Sequence, residues 1–395
     1  MAAWESAATP TLVGTPSVNH AVPRRHFLRV ALEEIHRCVA NAFCFCRAVC
    51  VCFFLLLPCP SEPRFPPSPS FSRSADRPTK HRIMGSCCPC LRASHALEFA
   101  KPSRAPPDPE LFPRYFQNKQ GLWLRFAEWA PPRDVPDVRA VLFIISGVAE
   151  HTARYDAVAL AFARAGYYVF CMDNQGAGGS EGKRLYVENF DDFVDDFVLF
   201  KKIVLSRYPD YATLPCCLLG HSMGGLIAAH VALRDPDAWT AVVLSGPALE
   251  LDPKLTTPFM RWLVPKVSRC FPKLGVKTLD VNLISKNSQV VELAKQDPFM
   301  SSASLTARWG AEMLRAIDEF WKKVDKATFP LLIVHGGDDR LCAISGSRRF
   351  AELAPSSDKK FIAYDGLSHE VLNEVSWREV LRDVQSFVDS HCPSR

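Results

Sequence analysis

The stretch Cys216–His230, CCLLGHSMGGLIAAH, places Ser222 between two apolar runs, in a turn flanked by Gly220 and Gly224. The pattern G-x-S-x-G, between a predicted strand and a predicted helix, is typical of a sharp turn that exposes a serine as a nucleophile. A glycine-rich connection between two buried elements is the purely structural alternative. The nucleophile interpretation requires a histidine base, a carboxylate and two backbone N–H groups elsewhere in the chain.

Short apolar runs alternate with amphipathic segments on both sides of this stretch. The predicted strands are 122–131, interpreted as an edge strand, and 140–147, 167–173, 215–220, 241–247, 330–336 and 359–366. Apolar residues at helical spacing predict helices over 153–166, 189–209, 226–233 and 377–392. This alternation predicts an α/β fold with a mostly parallel central sheet flanked by helices. A ligand site is then expected at the carboxyl ends of the strands.

Composition and the strand pattern together divide the chain into five segments. The stretch before the core is rich in proline, serine and arginine, a composition that favours disorder. The predicted segments are 1–83, a disordered or mistranslated leader or targeting segment; 84–119, a cysteine-rich acylation segment and linker; 120–247 and 330–395, the two parts of the core; and 248–329, a helical cap inserted over the sheet.

Charge and cysteine are concentrated before the predicted core. Residues 1–83 carry ten Lys or Arg and five Asp or Glu, a net charge of +5 that equals the net charge of the whole chain. Residues 84–395 therefore have no net charge. A nucleic-acid-binding surface would need clustered basic residues, so nucleic acid is not an expected partner. Nine of the 15 cysteines lie at or before Cys90. The others stand mostly in apolar runs without zinc-ligand spacing, which favours buried free thiols and predicts no metal.

The segment before the core carries two targeting signals that compete. The uninterrupted apolar run Ala48–Leu57 is too short for a bilayer span of about 20 residues, but an arginine-rich, acid-poor segment suits organelle targeting. Met84 begins the sequence Met-Gly-Ser-Cys-Cys, which at a true N-terminus predicts myristate on Gly85 and palmitate on Cys87, Cys88 or Cys90. We expect a cytoplasmic protein anchored to a membrane through this segment, with organelle targeting by residues 1–83 as the alternative.

The base and the acid are sought after Ser222, because an exposed serine on this kind of turn is followed by its acid and then its histidine. His369 lies in a loop just after the last predicted strand, whereas His391 lies at the end of the last helix. We therefore expect His369 to be the general base. Asp339 follows the penultimate strand and is the expected acid, with Asp338 as a solvated neighbour.

The oxyanion requires one N–H group after the nucleophile and one after the first core strand. Met223 supplies the first, and Val148, in the sequence SGVAEH that ends the strand, supplies the second. His221 and His151 are interpreted as packing or surface residues beside these groups.

The body of the chain resembles the monoglyceride lipase and lysophospholipase branch of the α/β-hydrolase superfamily, the serine aminopeptidase S33-like hydrolases. The matching stretches include GVAEHTARYD, LLGHSMGG, GGDDRLC and DGLSHEVLNE, and the resemblance covers nearly the whole body. It implies an α/β-hydrolase fold with the same triad and oxyanion donors. It also implies that 248–329 is an apolar cap that admits a lipid chain, with Phe259, Met260 and Trp262 at the substrate pocket.

Two positions depart from the family's pattern. Ser146 stands where the family usually has histidine before Gly147, and Ala177 stands where it has the histidine of Gly-His-Gly. The first borders the oxyanion loop, and neither removes a member of the expected triad.

The sequence therefore predicts a serine hydrolase that cleaves carboxylic esters of acyl glycerols, a monoacylglycerol or a lysophospholipid, through an acyl-enzyme on Ser222. One alternative is an esterase or acyltransferase acting on smaller esters, such as phenolic esters. Another is a slow-turnover ligand-binding receptor of the same fold. A lipid ester is the expected partner, with peripheral membrane association; no cofactor is expected, and the oligomeric state stays open.

Overall fold

The part of the chain that can be described is the body. The computed structural model describes residues 113–135, 137–300 and 304–393. The chain divides into two units, Met1–Ile83 and Met84–Arg395, and the description concerns the second. The predictions for residues 1–83 and for acylation of Gly85, Cys87 and Cys88 therefore lie outside the described residues.

Ten strands form two sheets in the part of the chain that the structure describes. An eight-stranded sheet has the order β1-β2-β4-β3-β5-β6-β9-β10, and β7 pairs with β8 in a separate two-stranded sheet. The strands are β1 Tyr115–Gln117, β2 Trp123–Trp129, β3 Ala140–Ile145, β4 Tyr167–Met172, β5 Cys216–His221, β6 Ala241–Ser245, β7 Gly275–Lys277, β8 Leu305–Thr306, β9 Leu331–Gly336 and β10 Lys359–Tyr364. From β4 to β10 in the sheet order, all neighbours are parallel. The β1–β2 and β2–β4 pairs are antiparallel.

Helices cover both faces of the large sheet. They are α1 Asp156–Arg164, α2 Phe190–Arg207, α3 Met223–Arg234, α4 Pro258–Cys270, α5 Ser288–Gln296, α6 Ala307–Trp321, α7 Ile344–Leu353 and α8 Trp377–His391. Alternate residues of a strand point to opposite faces, so Phe143 packs under α2 and α3 while Leu142 packs under α1 and α8. A strand buried on both faces must be apolar throughout, which explains the uninterrupted apolar runs.

The segment predicted as a cap contains more than a cover over the sheet. It holds α4, α5, the β7–β8 pair and α6. Trp309, Met313 and Ile317 of α6 belong to the same buried cluster as α2 and α3, so α6 is part of the core packing. The first part of the segment, with α4 and α5, lies beside the carboxyl ends of the strands.

Two features of the sheet and its helices differ from the prediction. The strand at 122–131 is not the edge, because β1 pairs with β2 on its outer side through Phe116 and Leu124. A strand of only three residues, such as β1, carries no periodic signal. Helix α7 was not predicted from the sequence either. No helix among the residues described is long and apolar enough to cross a bilayer.

Candidate active site

Ser222 occupies a backbone conformation that a non-glycine residue rarely adopts. Its φ and ψ are 55° and −120°, between the end of β5 and the first residue of α3. The surrounding backbone holds it there: its N–H donates to Ser245 at 3.0 Å, and its carbonyl accepts from the N–H groups of Gly225 and Ala248. Strain of this kind persists only where neighbours determine the conformation, and it is commonly found at reactive residues.

Close backbone approaches explain the glycines on either side of Ser222. A β-carbon on Gly224 would overlap the carbonyl oxygen of Ile145 at the end of β3. A β-carbon on Gly220 would lie 2.6 Å from the β-carbon of Ala228 in α3. The G-x-S-x-G spacing is thus required by the packing of α3 against the sheet, which places Ser222 at the carboxyl end of β5.

His369 and Asp339 meet after the last two strands of the sheet. The Nδ1 atom of His369 lies 2.7 Å from Oδ2 of Asp339, and the Asp339 side chain is completely buried. The other carboxylate oxygen accepts the backbone N–H groups of Leu341 and Cys342 at 2.8 and 2.9 Å. These bonds fix the carboxylate, so it can orient the imidazole with Nε2 free for proton transfer.

Electrostatics keep Asp339 charged and favour the protonated form of His369 beside it. Burial alone would raise the pKa of Asp339, but the charge of His369 and hydrogen bonds from His335 and His369 hold it far below its usual range. Burial alone would lower the pKa of His369, but the adjacent Asp339 carboxylate raises it above its ordinary value. Asp339 is therefore an anion that stabilises the imidazolium formed when His369 takes a proton.

The two expected oxyanion donors both face the cavity that contains Ser222. Val148 and Met223 line this cavity together with Ser222 and His369. Within the described ranges, neither the Val148 N–H nor the Met223 N–H donates to another protein group. Two N–H groups beside a serine can hold the charge of a tetrahedral intermediate.

The hydroxyl of Ser222 is not yet bonded to its expected base. A hydrogen bond links the side chains of Ser222 and Cys342, and burial raises the pKa of that thiol. Among the hydrogen bonds of the described residues, none joins Ser222 to His369. Such bonds often tighten only when substrate is bound.

The cavity beside Ser222 is apolar and of the size of a ligand site. Its volume is about 350 Å³, within the range of small-molecule sites. The apolar wall comes from the first half of the cap segment, from α6 and from the loops after β6 and β9. Representative lining residues are Leu251, Val264, Leu283, Met313 and Leu341.

The structure separates the three pocket residues expected on α4. Met260 lines the cavity, as Val264 does one turn later. Phe259 and Trp262 do not: they are 59% and 58% exposed and stack on each other at 6.0 Å. They lie on the cap helix but outside the cavity lining, because the helix turns the Met260 side toward the cavity and the Phe259 side away.

Four other residues considered in the sequence analysis form hydrogen bonds or ion pairs with neighbouring protein groups. Asp338 is exposed and pairs with Lys286, while His391 at the end of α8 bonds to Asp358 at 2.8 Å. His151 is buried and pairs with Asp297 at 2.7 Å. Ser146 is fully buried, and its carbonyl accepts from Asn174 at 3.0 Å.

A buried ionic cluster next to the cavity was missed by the sequence reasoning. Its members are Glu150, Arg154, His221 and Glu370. The His221 ring lies 4.8 Å from the His369 ring, and burial lowers the pKa of His221 to about 4. The sequence offers two clues to this cluster: Glu370 directly follows His369, and Glu150 lies two residues after Val148.

Among the described residues, two side-chain groups have the spacing of metal ligands. One contains Asp339, Cys342 and His369, and the other contains Glu150, His221 and Glu370, with donor atoms within 4.8 Å. In the second group Arg154 already contacts both carboxylates, at 3.4 and 2.6 Å. In the first, Asp339 accepts from backbone and histidine groups. Both arrangements are satisfied by hydrogen bonds and ion pairs of the protein itself.

Comparisons with known proteins agree with this geometry. The family model of hydrolases described as serine aminopeptidase, S33, matches residues 136–376. The monoacylglycerol lipase of Mycolicibacterium smegmatis is 34% identical over 276 residues, covering 70% of this chain and 96% of that protein. The monoglyceride lipase of Homo sapiens is 33% identical over 258 residues, covering 65% of this chain and 83% of that protein.

A solved structure shows the same fold. The crystal structure of Paleococcus ferrophilus monoacylglycerol lipase superposes with a TM-score of 0.60 at 28% identity, covering 68% of this chain and 99% of that one. The resemblance and the α/β-hydrolase fold predicted from the sequence are thereby confirmed. The chain belongs to the serine aminopeptidase S33 family and is a carboxylic ester hydrolase of the α/β-hydrolase fold.

Proposed function

We propose that the protein hydrolyses carboxylic esters of acylglycerols, with a monoacylglycerol as its substrate, through an acyl-enzyme on Ser222. The observation that carries the proposal is the apolar cavity with Ser222 and His369 in its wall. The named lipases among its relatives support the same substrate class.

Each side chain has a defined part in the proposed reaction. The Ser222 hydroxyl attacks the ester carbonyl while His369 Nε2 takes its proton, and Asp339 stabilises the imidazolium. The N–H groups of Val148 and Met223 receive the oxyanion. The intermediate then expels the glycerol oxygen, which takes the proton from His369. Water, activated by His369, attacks the acyl-enzyme and releases the fatty acid.

The dimensions of the cavity favour a single acyl chain. A volume of about 350 Å³ lies near the lower end of ligand sites, which run from about 300 to 1,000 Å³. Glu150 and Glu370 line the same cavity as Ser222 and His369. The acyl chain would occupy the apolar wall, with the ester carbonyl at Ser222.

The substrate proposal is tested with the full chain and Ser222→Ala. Fluorophosphonate labels activated serines, so labelling is expected for the wild type and not for the variant. Released fatty acid is then measured from monoacylglycerol, diacylglycerol, a lysophospholipid and a phenolic ester. We expect the highest kcat/KM for monoacylglycerol. Faster release from a lysophospholipid or a phenolic ester would overturn the choice of substrate, and a burst without steady-state turnover would favour a receptor.

The outer surface of α4 supports peripheral association with a membrane. Phe259 and Trp262 are exposed on the helix that closes the cavity, and Phe271 after it is 64% exposed. The ammonium of Lys266 lies 3.4 Å from the centre of the Trp262 ring. Exposed aromatic rings beside cations suit the boundary between acyl chains and anionic headgroups. Acylation of Gly85, Cys87 and Cys88 stays a prediction that would act in the same direction.

Membrane association is tested by cosedimentation with vesicles of phosphatidylcholine and phosphatidylserine. The double variant Phe259→Ser and Trp262→Ser should bind the vesicles at least about tenfold more weakly, because it lacks the two aromatic rings that would be transferred from water into the membrane. Leu293→Ser is the matched control, because Leu293 is 68% exposed on α5. Equal binding of both variants and the wild type would contradict the assignment of this surface.

A further inference from the structure

A continuous set of buried polar groups connects the oxyanion loop with the loop that carries His369. The oxyanion loop, residues 146–151, contains Glu150, whose Oε2 accepts the Gly147 N–H and the Tyr155 hydroxyl, each at 2.6 Å. Its other carboxylate oxygen lies 3.4 Å from the guanidinium of Arg154. Glu150 is 4% exposed, so water does not compete for these bonds.

Arg154 extends the set to the residue that follows the expected base. Its Nη2 donates to both carboxylate oxygens of Glu370, at 2.8 and 2.6 Å. Asn373 donates to the same carboxylate at 2.9 Å. The backbone N–H of Glu370 donates to Ile284 of the cap segment at 2.8 Å. His369 is therefore held from its C-terminal neighbour as well as through its ring.

The Glu150 carboxylate closes a tight turn around Ala149. Ala149 has φ 63°, in the left-handed region that a residue with a β-carbon enters only at a cost. The bond from Gly147 to Glu150 spans this residue and retains the conformation. It also uses the Gly147 N–H, whereas the next N–H, that of Val148, has no protein partner among the described residues and belongs to a residue that lines the cavity.

The turn lies directly against the nucleophile. A β-carbon on Gly147 would lie 3.2 Å from the β-carbon of Ser222 and 2.7 Å from Oε2 of Glu150. A displacement of this loop by a few tenths of an ångström therefore changes the distance between Ser222 and the Val148 N–H. Burial of two carboxylates around one guanidinium is costly and adds little stability compared with apolar packing, which favours a role in geometry.

We propose that Glu150 is a positioning residue for the oxyanion hole. By binding the Gly147 N–H it aims the Val148 N–H at the oxyanion, and through Arg154 and Glu370 it keeps this loop in register with His369. The inference rests on the proposed acyl-enzyme chemistry of Ser222, but not on the identity of the acyl group.

The test compares Glu150→Ala with Glu150→Gln, using p-nitrophenyl butyrate as substrate. An alkyl trifluoromethyl ketone measures the oxyanion hole, because it binds Ser222 as a tetrahedral alkoxide. An alkyl glyceryl ether, which has no carbonyl, measures binding in the cavity. In Glu150→Ala we expect kcat and the affinity for the ketone to fall together by roughly 10²–10³-fold, the effect of losing one oxyanion donor. KM and the affinity for the ether should change less than about threefold.

Glu150→Gln retains an acceptor for the Gly147 N–H and should recover at least about tenfold of the lost kcat. The control for loss of a buried carboxylate is Glu181→Ala, because Glu181 accepts the Trp123 N–H outside the cavity lining. It should lower the melting temperature and leave the ratio of ketone to ether affinity unchanged. If Glu150→Ala does not fold, Glu150→Gln and Tyr155→Phe carry the test, with a smaller but parallel loss of kcat and ketone affinity.

Three results would overturn the inference while the wild type remains active. One is an unchanged kcat in folded Glu150→Ala; another is an equal loss of ketone and ether affinity. The third is a Glu150→Gln variant as slow as Glu150→Ala. A wild type that neither turns over nor binds the ketone would instead overturn the proposed chemistry of Ser222, and the inference with it.

Discussion

At the scale of single residues, the bond between Asp339 and His369 decides which imidazole nitrogen carries the proton. Oδ1 of Asp339 is committed to two backbone N–H groups and cannot rotate away. In Asp339→Asn the amide oxygen would take that place and the amide nitrogen would face Nδ1 of His369. The ring would then carry its proton on Nε2, where it cannot accept the proton of Ser222.

We therefore expect Asp339→Asn to lower kcat by about 10⁴-fold while the fold is retained. Steady-state hydrolysis and a thermal melt of the same samples measure both quantities. Asp338→Asn is the matched control, since Asp338 is exposed and pairs only with Lys286 among the residues described. Its kcat should stay within about twofold of the wild type. A comparable loss in both variants would contradict the assignment of Asp339.

The same pair sets the pH dependence of the reaction. The Asp339 carboxylate raises the pKa of His369, which means that the charged imidazolium is favoured in the folded protein. A charged imidazole cannot act as a base, so kcat/KM should fall as the pH decreases through this pKa. The midpoint is expected above about 6.5, the value of an unperturbed histidine. A midpoint at or below that value, measured with p-nitrophenyl butyrate, would contradict the raised pKa.

At the scale of secondary structure, the contact between α3 and β3 determines whether Ser222 is exposed correctly. Alanine is favoured over glycine in a helix by about 1 kcal/mol, so helix propensity alone predicts that Gly224→Ala stabilises the fold. The overlap of its β-carbon with the Ile145 carbonyl reverses this sign, because backbone on both sides cannot yield. We expect Gly224→Ala to lose several kcal/mol of folding free energy or to be insoluble.

Urea denaturation measures the effect of Gly224→Ala, and Gly310→Ala in α6 is its control. A β-carbon at position 310 would lie 3.3 Å from Cγ1 of Val264, a side chain that can shift. Gly310→Ala should therefore be nearly neutral. A stable Gly224→Ala protein would show that the approach of α3 to β3 is looser than described.

The sequence predicted those strands in which the same requirement, burial, applies to every residue. β3, β4 and β5 are buried on both faces and must be apolar throughout, so they were predictable. β1 has three residues and is recognised only through its pairing with β2. Phe259 and Trp262 show the same limit, because the sequence of α4 does not say which of its sides faces the sheet.

The candidate site was predictable to the extent that it depends on chain order. Ser222, Asp339 and His369 each follow a strand, and the carboxyl ends of parallel strands meet at one edge. Glu150 could not be assigned in this way. Its contact with Gly147 depends on the positive φ of Ala149, and an alanine in a sequence does not predict a positive φ.

At the scale of the whole molecule, Asp196 on α2 joins three distant parts of the fold. Its carboxylate accepts a hydrogen bond from the Asn118 side chain, in the β1–β2 connection, at 2.9 Å. It accepts another from the Gln175 side chain, in the loop after β4, at 2.8 Å. Burial raises its pKa to about 7, and the nearby Asp192 and Asp195 act in the same direction. In the unfolded chain an aspartate has a pKa near 3.9.

This difference makes stability depend on pH with a definite sign. Between about pH 4 and 7 the folded protein retains a proton on Asp196 that the unfolded chain releases, so a rising pH favours unfolding. Asp196→Asn cannot ionise: its amide oxygen can accept from Asn118, and its NH2 group can donate to Gln175 once the Gln175 amide turns its oxygen toward it. The stability of Asp196→Asn relative to the wild type should therefore rise across this range by a few kcal/mol and level off above it.

Melting temperatures of wild type and Asp196→Asn, measured from about pH 4 to 8, test this sign. Asp338→Asn is the control: Asp338 is exposed, and its bond to Lys286 lowers its pKa, so its titration lies below this range. The difference between Asp338→Asn and the wild type should be constant with pH. A constant difference for Asp196→Asn as well would mean that Asp196 is already ionised at pH 4, held by Asn118 and Gln175. The junction of α2 with the first strands would then be a site of fixed charge, and acid would loosen it instead of base.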